Sequence, residues 1–164
     1  MPTIGNDTMR QTSFVKLLKD VCHLAKIAAP DRFRDDAQLE IGGTAFTLID
    51  GSETEADTLA YFCDFGAVPH SADRADILQR LLECNLLMFG VGTPTFSINY
   101  ENNHVLLMGR ASLRDVDAAR LLATFSKYAE QAAQWRKTYF LEPVRSTQPR
   151  MQSRLLGMQQ RATA

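Results

Sequence analysis

Between Phe14 and Ala28 the apolar residues recur at helical spacing. Phe14, Leu17, Leu18, Val21, Leu24, Ala25 and Ala28 share one face, while Lys16, Lys19, Asp20, His23 and Lys26 fall mostly elsewhere. Thr8 with Gln11 three residues later supplies a capping box to open this helix, and Pro30 closes it. The period then shortens to two. Leu39 and Ile41 alternate with Gln38 and Glu40, Gly42-Gly43 makes a hairpin turn, and Phe46 and Leu48 alternate with Thr47 and Ile49 on the return. After a turn at Asp50-Gly51, Leu59 to Phe65 forms the third strand of an antiparallel meander. Ser71 caps a second helix with Ile77, Leu78, Leu81, Leu82 and Leu86 in its stripe, and Gly90, Gly92 and Pro94 break it. Phe96, Ile98 and Tyr100 then alternate with Ser97 and Asn99 in a strand, Glu101 to His104 turns, and Val105 to Ala111 returns. Ser112 and Asp115 form a capping pattern for a last helix whose stripe is Val116, Ala119, Leu122, Phe125, Ala129, Ala132 and Trp135. The predicted order is α-β-β-β-α-β-β-α, an α+β fold with a twisted antiparallel sheet flanked by helices.

A chain of 164 residues buries enough surface to fold without a metal or disulfide staple. Its charge is unevenly spread. From residue 137 onward, Lys137, Arg145, Arg150, Arg154 and Arg161 face Glu142 alone, a net +4, against −5 for the preceding 136 residues. The expected organisation is one domain over 1–136 and a basic, loosely ordered extension over 137–164, in which Met151, Leu155 and Met158 mark a short amphipathic turn that Gly157 weakens. The extension lacks interleaved aromatics and the body is acidic, so nucleic-acid binding is not expected. The first residues lack a signal-peptide core, and no stretch approaches the ~20 apolar residues of a membrane span, which predicts a cytoplasmic protein.

The chemistry-bearing residues are scattered. Cys22, Cys63 and Cys84 form no C-x-x-C and read as reduced thiols, which argues against a disulfide framework or a zinc site. Gly90-Val91-Gly92 follows a helix and precedes a strand, the reverse of a phosphate-binding loop, and reads as a helix stop. His23, His70 and His104 show no ligand spacing. Of the carboxylate pairs Asp35-Asp36, Asp73-Asp76 and Asp115-Asp117, two fall at expected helix starts, where acids favour the dipole. No catalytic residue, cofactor or metal is expected, although a small enzyme using Cys84 or a carboxylate pair remains a rival.

Several segments together resemble the class I type III secretion chaperones, the Tir chaperone family. They are "FVKLLKDVCHLA", "FTLIDG", "YFCDFGAVP" and "ILQRLLECNLLMFGVGTPTFSINYENNHVLLMGRASL", followed by a long helix ending in Trp135. Leu81-Leu82-Glu83-Cys84-Asn85 is similar to the family's Leu-Leu-x-x-Asn signature, and the likeness spans residues 10–136; the basic extension has no counterpart in it. The resemblance implies a bacterial, cytoplasmic, non-enzymatic homodimer that holds the N-terminal segment of a secreted effector, with the secretion ATPase as a further partner. Carried over residue by residue, it implies a dimer interface at Ile77, Leu78, Leu81, Leu82, Asn85, Leu86, Phe96 and Ile98, which an acidic residue at Leu81 is expected to break. Phe14, Leu17 and Val21 on the first helix, with Phe46, Leu48 and Ile49 on the second strand, are the candidate effector-binding residues. A peptide-binding or regulatory module on the same scaffold, unrelated to secretion, is the alternative.

Overall fold

The computed structural model describes residues 4–29, 36–51, 55, 57–70 and 73–141, and among them the elements follow the predicted order. They are α1 (Ile4–Ala25), β1 (Asp36–Ile41), β2 (Thr44–Asp50), β3 (Thr58–Ala67), α2 (Arg74–Met88), β4 (Thr95–Ile98), β5 (His104–Ser112) and α3 (Ala118–Thr138). The strands form one antiparallel sheet in the order β1-β2-β3-β5-β4. Gly42 and Gly43 both take positive φ, 58° and 71°, as a two-residue hairpin of this hand demands. A Cβ on Gly42 would also lie 3.1 Å from that of Ala129, so the hairpin tip seats closely on α3.

Alternation along the strands divides the sheet into two faces. Ala37, Leu39, Ile41, Phe46, Leu48, Tyr61, Cys63, Phe65, Val105 and Leu107 are buried on one face, beneath α3, against which α1 packs. α3 brings Leu121, Phe125, Ala129, Ala132 and Trp135 to it at helical spacing. Phe125 stacks on Phe46 at 4.6 Å and meets Tyr61 edge-on at 5.4 Å, while Trp135 meets Phe65 at 6.3 Å. Each such fully buried side chain contributes about 1.5–3 kcal/mol, so this layer fixes the geometry of everything around it. β3 carries a bulge between Asp64 and Gly66, where Asp64 Oδ1 accepts from the Gly66 amide at 2.8 Å.

The helix starts differ from expectation. α1 begins at Ile4, so Thr8 and Gln11 lie within the helix and not at its start. Ser71 lies outside the described residues, and Asp73 holds the N-cap position of α2 without a side-chain cap bond. α3 is capped by Asp117, whose Oδ1 accepts from the Arg120 amide at 2.8 Å; Ser112 instead ends β5, and its hydroxyl oxygen accepts from Arg114. β4 stops at Ile98, which leaves Tyr100 exposed in the turn. α3 continues past Arg136 to Thr138, and Tyr139, Phe140 and Leu141 still pack against the core.

Candidate functional site

The two sheet edges are treated differently. Ile41 and Thr44 close the hairpin as a hydrogen-bonded pair, so alternation turns the backbone groups of Asp36, Gln38 and Glu40 away from β2. Among the described residues no strand covers them, and β1 is an open edge with exposed polar side chains at 36, 38 and 40. At the opposite edge, the outward backbone groups of Phe96 are occupied. Asn85 Oδ1 accepts from the Phe96 amide at 2.7 Å, and Asn85 Nδ2 donates to the Phe96 carbonyl at 3.1 Å. The signature asparagine thus fastens α2 along β4 and occupies the outward groups of Phe96 within the subunit.

The sheet face turned away from α1 and α3 carries Ile49, Phe62, Leu106 and Met108. Ile49 and Met108 are exposed, Phe62 and Leu106 half-buried, and the pairing Phe62↔Met108 places two of them side by side. Of the six residues expected to bind an effector, only Ile49 is on this face. Phe46 and Leu48 point the other way, and Phe14, Leu17 and Val21 line the core side of α1. These five are core residues, and in this conformation they offer no surface to a guest. A signal for the open face was available in sequence. Tyr61-Phe62-Cys63 and Val105-Leu106-Leu107-Met108 are apolar at both parities, as in strands whose two faces both make contacts.

The residues expected at a dimer interface divide in the same manner. Ile77, Leu81 and Phe96 are buried inside the subunit, because they form the face of α2 and β4 that packs inward. Asn85 is engaged with Phe96, and Leu78 and Ile98 are half-buried against the core. Leu82 (69 % exposed) and Leu86 (60 %) stand clear on the outer flank of α2. Sequence reasoning missed further exposed apolar residues at and beyond the helix end: Leu87, on the other side of α2, and Phe89 and Val91, with Phe89 at 90 %. Their signal was the apolar run Leu86-Leu87-Met88-Phe89, which persists through the helix end without a polar break.

Gly90-Val91-Gly92 has the geometry of a helix stop. α2 ends at Met88, Gly92 takes φ 72°, and the Thr93 hydroxyl donates to the Gly90 carbonyl at 2.8 Å before β4 begins. Burial raises the Cys84 thiol, with Arg80 only partly opposing it, and burial with the Asp64 charge pushes Cys63 up to about 12. Thiols held protonated in this way are poor nucleophiles. Among the described residues no group of three potential ligands could hold a metal, and no helix is long and apolar enough to cross a membrane. His104 Nδ1 lies 2.8 Å from Asp64 Oδ2 and ties the start of β5 to the bulge in β3.

Comparison with known proteins places this geometry. The fold is similar to that in the crystal structure of the ExsC–ExsE complex, with a TM-score of 0.58 and 13 % identity over 77 % of this chain and 93 % of that one. The HopA1–SchA chaperone–effector complex gives 0.58 and 16 %, covering 79 % and 97 %. The ExoT–SpcS complex from Pseudomonas aeruginosa gives 0.51 and 15 %, covering 74 % and 95 %. No curated protein matches the sequence. Residues 37–136, which hold the sheet from the second residue of β1 onward, α2 and most of α3, match the Tir chaperone protein (CesT) family, and the chain belongs to that family.

Proposed function

We propose that this protein is a non-enzymatic type III secretion chaperone of the bacterial cytoplasm, which holds the N-terminal segment of a secreted effector extended for export. Family membership supports the class, and the observation that carries the reading is the open β1 edge beside an uncovered, partly apolar sheet face. An extended guest adds to this edge as a further strand, through main-chain hydrogen bonds to Asp36, Gln38 and Glu40 that ask little of its sequence. A guest unfolded on its own loses chain entropy on binding, and apolar anchors against Ile49 and its neighbours offset that loss. A homodimer joined through the outer flank of α2 presents two such edges, and the secretion ATPase is the downstream partner of the loaded complex.

The test removes one edge donor. Gln38→Pro deletes an amide that faces outward, at an edge position where proline is tolerated. Co-purification with the effector's N-terminal segment is expected to fall at least about tenfold, as for the loss of about 1.4 kcal/mol, with thermal stability nearly unchanged. Undiminished effector binding by a folded Gln38→Pro protein would remove the β1 edge from the mechanism. Recovery of a partner that is never secreted would favour the regulatory or peptide-binding alternative.

A further inference from the structure

The inner flank of α2 carries a second feature, on the opposite side of the helix from Leu82 and Leu86. A groove of about 410 Å³ runs between α2, β4 and the end of α3, with Cys84, Leu87, Met88, Phe96 and Phe140 as its apolar lining. α3 does not lead away from this groove. Tyr139 and Phe140 both take left-handed backbone, φ 52° and 56°, a conformation that side chains of this size rarely adopt. Aromatic contacts hold the reversal, Tyr139 against Trp135 at 5.1 Å and Phe140 against Phe96 at 6.1 Å. Leu141 consequently lies beside α2, next to Asp76, Gln79 and Glu83. The described chain therefore ends at the mouth of the groove, already turned back over it.

Twenty-three residues follow, 142–164. They carry Arg145, Arg150, Arg154 and Arg161 against Glu142, a net +3, while the rest of the chain is −4; beside Leu141, next to the groove, stands Asp76, with Glu83 paired to Arg80 at 2.8 Å. Met151, Leu155 and Met158 recur at spacings of four and three, which gather on one face if the segment turns as a helix. Methionine suits an irregular apolar groove, because its thioether chain adapts to the available space. Met151 is ten residues beyond Leu141, so the connecting loop is short and its closure entropy modest.

We propose that the basic C-terminal segment folds back in cis and seats Met151, Leu155 and Met158 in the groove between α2 and the end of α3. The segment straps α2 to α3 and leaves the outer flank of α2 free for a second subunit. This inference does not rest on the secretion reading, and the failure of either leaves the other standing.

Cys84 is the native reporter, because it lines the groove while Cys22 and Cys63 are deeply buried. The full-length protein and its triple variant Met151→Glu, Leu155→Glu, Met158→Glu are compared by labelling with iodoacetamide, with the Cys84 peptide followed by mass spectrometry. Cys84 is expected to react about tenfold faster in the variant, as for a cover seated ten to one, and at a rate independent of protein concentration. Equal rates would overturn the proposal, and so would a wild-type rate that rises on dilution, which would make the cover a second copy. In a second measurement, Leu155→Cys is expected to form an intramolecular disulfide with Cys84 under mild oxidation. Only intermolecular products, or none, would also sink it.

Discussion

An asparagine side chain carries the same donor and acceptor pair as a peptide group, and Asn85 presents both to the backbone of Phe96. The resemblance to the chaperone family implied a place for this residue in a dimer interface. Its actual ligand is eleven residues further on, across a glycine turn whose path no local pattern specifies. Asn85→Ala leaves an amide and a carbonyl of β4 without their partner and is expected to cost about 1–3 kcal/mol. Hydrogen exchange should then accelerate most at Phe96, while the core amides of β2 and β3 speed up only as far as global stability falls. Gly109 shows a second constraint of this size. It pairs with Tyr61, and a Cβ there would sit 2.6 Å from Tyr61 Cζ, while the ring is held by Phe125 and Tyr128. Gly109→Ala is therefore expected to destabilise by about 1–3 kcal/mol in a denaturant titration, since the buried ring has nowhere to move.

At the scale of elements, periodicity identified every helix and strand among the described residues but could not divide their apolar residues by destination. On α2 the apolar residues form one broad sector, and only packing separates Ile77 and Leu81, facing the core, from Leu82 and Leu86, facing out. The same limit placed Phe46 and Leu48 in a presumed groove, because strand alternation says which residues share a face and not which face the helices cover. Leu81→Asp consequently tests the subunit and not the dimer: a carboxylate there is expected to cost more than about 4 kcal/mol and unfold the protein. Leu82→Asp, on the exposed flank, is expected to change stability by no more than about 0.5 kcal/mol. Sedimentation should show Leu82→Asp as a folded monomer, and an intact dimer would exclude this flank from the interface. Caps were the least legible feature, since Ser112, Asp115 and Asp117 are all competent and the end of β5 decides among them.

For the molecule as a whole, the buried titratable groups of the sheet set a limit at high pH. Burial raises both Cys63, to about 12 from an ordinary 9.0, and Tyr61, whose hydroxyl also faces that of Tyr128. Their neutral forms are favoured in the fold, so this stability is complete below pH 9 and is lost as the pH rises towards 12. The melting temperature should accordingly fall between pH 9 and 12, and Cys63→Ala should flatten part of that slope relative to its own value at pH 8. The order of elements and the family were legible in sequence, because both rest on short-range pattern. The surfaces were not, because a surface is what remains after packing has claimed its residues. One of those surfaces sets a valence. On the proposed function, with the outward groups of Phe96 on β4 taken by Asn85 and β1 open, each subunit is expected to accept a strand at β1 and pass none on. Two copies meeting through their β1 edges would terminate each other as a closed pair, so edge pairing cannot grow into a fibre. In the proposed dimer joined through α2 there would be two acceptors, and loading is expected at two strands per dimer, drawn from one effector chain that crosses both subunits or from two that each use one.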